Sequence, residues 1–202
     1  MIEVFADVRC PFTHAGLHRF VERRAELDRP DVVLWVRAWP LELVNDAPLE
    51  AGLIAEEVDE LRDQVSPGLF RGFDERRFPA SSLPALTLAA AAYARSPAHG
   101  ERVSLALRDA LFEQGRDIAD PPTLAGIASD AGVEMPVEGT TAAVVDEWHE
   151  GRRRGVIGSP HFFVGGTGFF CPSLDIHRVD GHLRLSWDHD ALARFLARCF
   201  AD

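Results

Sequence analysis

The first 45 residues contain two short apolar runs on either side of an amphipathic stretch. Residues 2–6 and 32–39 are rich in β-branched and aromatic side chains, which is typical of strands. Between them, Leu17 and Phe20 recur at helical spacing, and the helical pattern ends near Leu27. A strand–helix–strand unit with a short connection predicts that its two strands are parallel.

The middle of the chain has helical periodicity interrupted by repeated start signals. Ser82, Ser96 and Asp120 each precede a helical stretch with proline in its first turn, and such residues are suited to cap a helix. A further helix is expected over residues 54–65, and the last begins near Thr140-Thr141. We therefore expect an all-helical block in this part of the chain.

After residue 160 the pattern returns to short strands. Gly165-Gly166 and Asp180-Gly181 are turn signals that predict two hairpins. The expected strand segments are 161–164, 168–171, 176–179 and 182–187. A closing helix is expected over residues 191–200, capped by Asp188 or Asp190.

The order of elements predicts an α/β protein with a helical insertion. Residues 1–45 and 154–202 together supply the strands and two flanking helices of one compact domain. Residues 46–153 are then expected to form an inserted helical domain with a small core of its own.

Composition limits the classes of partner and compartment. The 202-residue chain is 47% hydrophobic and has a formal net charge of −11, which argues against nucleic acid as a partner. No secretory leader and no apolar run long enough for a membrane span is apparent, so we expect no membrane partner and a cytoplasmic protein. Three cysteines at wide spacing do not form a disulfide framework.

The motif with the clearest chemistry is Cys10-Pro11-Phe12-Thr13, directly after the first strand. Pro11 suits the first position of a helix, so Cys10 is expected at the helix N-terminus, where unpaired N–H groups and the helix dipole favour an anion. We therefore expect a lowered pKa for this thiol. Thr13 stands where a Cys-x-x-Cys pair has its second cysteine; its hydroxyl can donate to a thiolate but cannot form a disulfide. The alternative is that Cys10 is a small buried apolar residue.

Three segments resemble the DsbA-like branch of the thioredoxin superfamily, in particular the subgroup of FrnE-type proteins, 2-hydroxychromene-2-carboxylate isomerase and kappa-class glutathione transferases. The segments are Cys-Pro-Phe-Thr at 10–13, Leu-Phe-Glu-Gln-Gly-Arg-Asp-Ile at 111–118 with Ala-Gly-Val at 131–133, and Gly-Val-Ile-Gly-Ser-Pro at 155–160. The resemblance implies a thioredoxin-like fold with an all-helical insertion, and a cis Ser159–Pro160 bond facing Cys10. Two departures matter: redox members have cysteine where this chain has Thr13, and the isomerases and transferases usually have serine in place of Cys10.

The expected site therefore combines the helix start with the Ser-Pro loop. We expect Cys10 and Thr13 to be catalytic. The expected substrate-binding residues are Pro11, Phe12, His14, Ser159, Pro160 and His161. His14 either favours the thiolate when protonated or lines the cleft. Cys10, His14 and His18 are spaced by four, but this spacing matches no established zinc motif, and we expect no metal. Cys171 is expected in a strand, too far from Cys10 for a direct bridge, and Cys199 in the core.

Three functions remain open at this point. In a thiol–disulfide oxidoreductase, which we favour, Cys10 attacks a disulfide and a small-molecule thiol resolves the mixed disulfide. In a glutathione-dependent isomerase or transferase, the sulfur of the cofactor is the nucleophile, and Thr13 or Cys10 stabilises it. The third alternative is a non-catalytic thioredoxin-fold binding protein. We expect no tightly bound cofactor, and glutathione or another low-molecular-weight thiol as the co-substrate. The sequence does not decide between a monomer and a homodimer.

Overall fold

The computed structural model describes residues 1–137, 139–172, 174–180 and 182–201. Within them the helices are α1 (Pro11–Glu26), α2 (Leu41–Val44), α3 (Ala51–Gln64), α4 (Leu83–Arg95), α5 (Pro97–Phe112), α6 (Pro121–Ala131), α7 (Ala142–Arg153) and α8 (His189–Cys199), with a 3-10 turn at Glu75–Arg77. The strands are β1 (Ile2–Ala6), β2 (Leu34–Ala38), β3 (His161–Val164), β4 (Thr167–Phe170), β5 (Leu174–Val179) and β6 (His182–Trp187). The predicted elements are present, whereas the short helix α2 was not predicted from the pattern. The expectation of Cys171 in a strand is wrong, because β4 ends at Phe170 and Cys171 has a φ of 41°.

The main sheet has the strand order β2-β1-β3-β4. β1 and β2 pair in parallel, as the strand–helix–strand pattern predicts, and Ile2 lies opposite Leu34. β3 runs antiparallel to β1, so that His161 lies opposite Phe5, and β4 follows β3 through the Gly165-Gly166 turn. This topology brings the residues before β3 next to the end of β1.

The two faces of the sheet pack against different helices. Val4 and Phe162 point into an apolar cluster with residues of α1 and α8, including Phe20 and Phe195. Phe5, next to Val4 on β1, points to the opposite face and packs with Trp39, Val156 and the partly buried Trp148 of α7. The alternation of side chains along a strand therefore places α1 on one side of the sheet and α7 on the other.

The apolar core of the helical insertion, built from α3, α4, α5 and α6, is continuous with residues outside the insertion, such as Ala15 and Leu185. The insertion is joined to the sheet at the outer edge of β2. The carboxylate of Glu101 accepts the backbone N–H of Leu34 at 2.8 Å, and the hydroxyl of Tyr93 bonds Val36 N at 2.9 Å and Leu34 O at 3.0 Å. These side chains satisfy backbone groups that an edge strand otherwise leaves exposed.

Three of the four predicted helix caps have the expected hydrogen bond, including Asp188, whose side chain accepts the N–H of Ala191. The side chains of Ser96 and Asp120 accept the N–H groups of His99 and Thr123, respectively. The expectation for Ser82 is wrong, because its buried hydroxyl makes no cap bond and no hydrogen bond within the described residues. The Ser81 hydroxyl accepts Leu83 N at 3.1 Å in its place.

The second hairpin, β5–β6, forms a separate two-stranded sheet that packs against α3. The indole N–H of Trp187 donates to Val65 O, and Leu185 N donates to Gln64 Oε1, both at 2.9 Å. Of the predicted Asp180-Gly181 turn, Gly181 lies outside the described residues. The division into two domains, residues 1–45 with 154–202 and residues 46–153, stays a prediction. The β5–β6 hairpin belongs to the first of these domains and contacts α3 of the second.

The helices of the described residues include none with the length and apolar character needed to cross a bilayer.

Candidate active site

The candidate site begins where β1 passes into α1. Cys10 is the N-cap of α1 in extended conformation, and Pro11 occupies its first turn. The carbonyl of Cys10 accepts the N–H of His14 at 3.2 Å, as the first bond of the helix. The sequence pattern thus places the sulfur at the positive end of a 16-residue helix.

The sulfur of Cys10 faces the Ser159-Pro160 loop. Its Sγ donates to the carbonyl oxygen of Ser159 at 3.2 Å, and the Ser159–Pro160 peptide bond is cis. Thr13 Oγ1 and Ser159 Oγ lie 2.9 Å apart, and Ser159 Oγ also accepts the backbone N–H of Asp7 at 3.0 Å. Cys10, Thr13 and Ser159, which are up to 149 positions apart in sequence, therefore form one polar cluster.

Burial raises the pKa of the Cys10 thiol, because the thiolate loses its hydration when water is removed. Hydrogen bonds from the hydroxyls of Thr13 and Ser159 and from the backbone of Thr13 lower the pKa, and their combined effect is smaller than that of burial. The expectation of a lowered pKa, based on the helix N-terminus alone, is therefore wrong. Cys10 is only 4% exposed, and burial is the largest influence on its thiol.

A buried charge network supports the turn that carries Cys10. The Asp7 carboxylate accepts the backbone N–H groups of Arg9 at 2.8 Å and Leu41 at 2.7 Å. The Arg9 guanidinium bonds Glu42 Oε2 at 2.7 Å and the carbonyl of Pro79 at 3.3 Å. Asp7 and Arg9 are fully buried, so water does not compete for their hydrogen bonds. The network therefore holds the segment before the helix in place.

Arg108 brings a second buried cation to the same turn. Its guanidinium donates to Asp7 O at 3.3 Å and to the carbonyl and hydroxyl of Ser104 at 2.9 and 2.7 Å. Burial lowers the pKa of Arg108 to about 10, and the neighbouring Tyr93, Asp7 and Cys10 oppose that change. Arg108 therefore stays charged at neutral pH, and its charge favours a Cys10 thiolate.

Glu57 of α3 acts in the opposite direction. Burial raises the pKa of this carboxyl to about 7, while the charge of Arg178 lowers it in part. The ionised form of Glu57 raises the pKa of Cys10. The helical insertion thus contributes one group that opposes the thiolate and one, Arg108, that favours it.

His14 and His18 do not join Cys10 in a metal-like triad. His14 Nε2 lies 2.8 Å from Glu113 Oε1, and His18 Nε2 lies 3.0 Å from Asp109 Oδ1. Burial lowers the pKa of His14 despite the contact with Glu113. Its neutral form is therefore favoured, and the structure does not support a protonated His14 beside the thiolate.

The other predicted site residues divide between the cleft and the core. Phe12 is half-buried and packs against the apolar core of the helical insertion, and Pro160 is buried directly after Ser159. His161 contacts Phe163, with the ring centroids 4.9 Å apart, and Nδ1 accepts Ile157 N at 3.4 Å. The contacts of His161 within the described residues do not bring it to the Cys10 sulfur.

The two other cysteines are free and buried. The backbone N–H of Cys171 donates to Pro160 O at 3.0 Å, so Cys171 borders the same loop. Burial and the neighbouring Cys10 raise its pKa to about 12. Cys199 lies in the apolar cluster between α1, α8 and the sheet, as predicted.

Sequence reasoning missed Asp7, Arg9, Arg108 and Glu57. Only Arg108 had a usable signal: it lies on the apolar stripe of α5, one turn after Ser104 and one turn before Leu111 and Phe112, where a charged residue needs a buried partner. The partners come from distant segments, which no local pattern indicates.

Comparisons with known proteins agree with this architecture. The family model for the DSBA-like thioredoxin domain matches residues 1–184. No curated protein matches the sequence. A solved 2-hydroxychromene-2-carboxylate isomerase is similar at a TM-score of 0.62 and 15% identity, covering 84% of this chain and 87% of its own. A protein from Nitrosomonas europaea, described as a putative protein disulfide isomerase, is similar at a TM-score of 0.64 and 15% identity, covering 96% and 94%. At this identity the likeness establishes the fold alone.

Proposed function

Because the chain belongs to the family of DSBA-like thioredoxin domains, we propose that it is a thiol–disulfide exchange enzyme with Cys10 as its single nucleophilic sulfur. The observation that carries the proposal is the contact of 3.2 Å between Cys10 Sγ and the carbonyl of Ser159, at the start of α1 and opposite the cis-proline loop. A sulfur in this position can meet a disulfide that lies along the loop.

The proposed reaction needs only one cysteine of the protein. The Cys10 thiolate attacks one sulfur of a disulfide R–S–S–R′, so that a Cys10–S–S–R bond forms and R′–S⁻ leaves and takes up the proton that Cys10 lost. A small-molecule thiol, glutathione or a related compound, then attacks the R sulfur of the mixed disulfide, forms its own disulfide with R and returns Cys10 to the thiol. Because Thr13 stands in the place of a second cysteine, Cys10 cannot be oxidised to a disulfide with this position.

The surroundings of the sulfur support both steps. The hydroxyls of Thr13 and Ser159 can donate to the thiolate, and the charge of Arg108 favours it. The raised pKa keeps Cys10 as a thiol at rest, so the exchange should accelerate with rising pH. A reducing cytoplasm, which keeps unpaired thiols free and supplies small thiols, is the compartment that we propose.

A second candidate is a glutathione-dependent isomerase or transferase. It is favoured by the raised pKa of Cys10, which makes a thiolate from an incoming cofactor the easier nucleophile. In that case the paired hydroxyls of Thr13 and Ser159 would donate to the sulfur of the cofactor, and Cys10 would not react.

Mass spectrometry of the intact protein after incubation with glutathione disulfide tests the first proposal. We expect one glutathionyl adduct per chain in the wild type and in Cys199→Ser, located at Cys10, and none in Cys10→Ser. An adduct confined to Cys171 or Cys199, or no adduct at pH 9 in folded protein, would contradict the proposal.

Comparison of the wild type with Cys10→Ser also separates the two candidate functions. If Cys10 serves in disulfide exchange, only the wild type forms the glutathionyl adduct, and neither protein conjugates glutathione to a model electrophile. If the wild type and Cys10→Ser conjugate equally well and neither forms the adduct, the second candidate replaces the first.

A further inference from the structure

One turn beyond Cys10, two helices present facing pairs of metal-binding side chains. His14 and His18 lie on α1, and Asp109, with Glu113 directly after the last turn, lies on the side of α5. The helices run antiparallel at this contact, so that His14 meets Glu113 at 2.8 Å and His18 meets Asp109 at 3.0 Å. The two imidazole rings are 4.4 Å apart between centroids. We call these four residues the α1–α5 seam.

We propose that the α1–α5 seam binds a divalent transition-metal ion, with Zn²⁺ as the preferred ion, through His14, His18 and Asp109. One ligand atom from each of the three lies within 4.8 Å of the other two. In a tetrahedral zinc site with bonds of about 2.0–2.1 Å, ligand atoms are roughly 3.3 Å apart. Closing the site would therefore bring the ligand atoms nearer to one another by up to about 1.5 Å.

The donor set has the chemistry of a zinc site. Two imidazoles and a carboxylate with a position left for water form a known type of zinc environment, whereas calcium and magnesium prefer oxygen ligands throughout. The carboxylates of Asp109 and Glu113 together balance the charge of a divalent cation.

An unpaired nitrogen on His14 supports the assignment independently. His14 is 1% exposed, and its Nδ1 makes no hydrogen bond within the described part of the chain. In the proposed site one ring nitrogen of His14 binds the ion and the other has a carboxylate partner, an arrangement in which a carboxylate orients the ligand. Glu113 is itself held by the backbone N–H groups of Phe70 at 2.7 Å and Arg71 at 3.3 Å. We assign it the role of a positioning residue.

The seam is accessible to a hydrated ion from two sides. His18 lines a cavity of about 440 Å³ with Ala15, Ser66 and Leu69, and Asp109 lines another of about 220 Å³ with Ala106 and Gln114. The side chains of His18 and Asp109 are 33% and 40% exposed, whereas His14 closes the inner end. This gradient from open to closed suits an ion that enters with water and loses it on binding.

Zinc titration of the purified full-length protein, stripped of metal with EDTA, tests the proposal. A chromophoric zinc chelator in competition measures the affinity. We expect one zinc ion per chain, and His18→Ala or Asp109→Asn should weaken binding by at least about tenfold. His177→Ala is the matched control, because His177 forms a comparable His–carboxylate pair with Asp175 at 2.8 Å on the surface. It should bind like the wild type.

Cobalt substitution tells which side chains hold the ion. Co²⁺ in the seam should give visible ligand-field bands without a thiolate charge-transfer band, and Cys10→Ala should leave the spectrum and the affinity unchanged. Wild-type affinity in both His18→Ala and Asp109→Asn, or no zinc bound at ~100 μM, would overturn the proposal. A thiolate band that disappears in Cys10→Ala would also overturn it. Circular dichroism verifies that each variant is folded.

Discussion

Cys10 and Cys199 are almost equally buried, at 4% and 5% exposure, and the pKa of each thiol is raised by that burial. Their surroundings nevertheless differ completely. Cys199 sits in the last turn of α8, in the apolar cluster with Leu192 and Phe195, and burial alone raises its pKa to about 12. Cys10 has a carbonyl, two hydroxyls and the start of a helix around it.

The contrast shows that accessibility does not distinguish a core cysteine from a candidate nucleophile in this fold. What differs is whether the protein has groups ready to stabilise the anion when it forms. Thr13, Ser159 and Arg108 supply them at Cys10, whereas desolvation is the only influence on Cys199. The polar groups around a thiol therefore indicate its role better than its protonation state at rest does.

The largest effect should come from Glu57, which acts on Cys10 and not on Cys199. The pKa of Glu57 is about 7 in the folded state, above the ordinary 4.5, so the folded state binds this proton more tightly than the unfolded state. The stability that the proton contributes is fully present below about pH 4.5 and is lost as the pH rises through 7. Glu57→Gln should therefore raise the free energy of unfolding at pH 9 by about 3 kcal/mol relative to wild type, and change it little at pH 4. Urea unfolding at the two pH values measures this difference.

The same variant should move the titration of Cys10. Since the charge of Glu57 raises the pKa of Cys10, Glu57→Gln should shift the alkylation profile of Cys10 to lower pH and leave that of Cys199 in place. Asp59→Asn, an exposed neighbour on α3, is the control and should change neither property. Equal shifts at both cysteines would mean that Glu57 acts by loosening the fold.

Single-cysteine variants compare the two sulfurs directly. Cys171→Ala/Cys199→Ala leaves Cys10, and Cys10→Ala/Cys171→Ala leaves Cys199. We expect Cys10 to react with iodoacetamide at least about tenfold faster at pH 8, because its surroundings stabilise the thiolate. Its rate should still be rising above pH 9, since its pKa is raised. A plateau below pH 8 would show that the helix start dominates over burial, and equal rates would remove the distinction from Cys199.

The sequence was sufficient for the parts of the fold that local pattern controls. Strand composition and helical spacing predicted β1, α1 and β2 and the parallel pairing of the strands. The Cys-Pro start of α1 was predicted from the stereochemistry of proline. The place of the β5–β6 hairpin was not, because its register is local while its packing against α3 depends on a tertiary contact.

The electrostatics of the site could not be obtained from sequence in the same way. A helix N-terminus predicts a stabilised anion, but the degree of burial that opposes it depends on how the Ser159 loop closes over the sulfur. Likewise, the spacing of Cys10, His14 and His18 matched no metal motif, and it did not reveal the carboxylate partners of the two histidines, which lie 99 and 91 residues later in α5 and at its C-terminal end. When the residues of a site come from two helices, the sequence of each helix shows only some of them, so local spacing does not identify the site.

Substitution by serine should affect the stability of the two sites differently. At Cys199 the introduced hydroxyl enters an apolar cluster, and we expect the free energy of unfolding to fall by about 1 kcal/mol, since the hydroxyl loses hydrogen bonds to water. At Cys10 the hydroxyl can take over the bond to the Ser159 carbonyl, so the change should be smaller. Thermal unfolding of both variants measures the difference. A larger loss in Cys10→Ser would mean that the sulfur serves mainly as packing.

Substitution of Thr13 tests the role of its hydroxyl directly. Thr13→Val keeps the shape of the side chain and removes its hydrogen bond to Ser159 and its donation to the sulfur of Cys10. Loss of one such bond, worth about 1 kcal/mol, should slow glutathionylation of Cys10 roughly fivefold at a fixed pH. Thr13→Ser retains the hydroxyl and should keep most of the rate, while the alkylation of Cys199 should not change in either variant. If Thr13→Val reacts as fast as the wild type, the Thr13 hydroxyl does not contribute to the reactivity of Cys10. The polar surroundings would then not explain a difference in reactivity between Cys10 and Cys199.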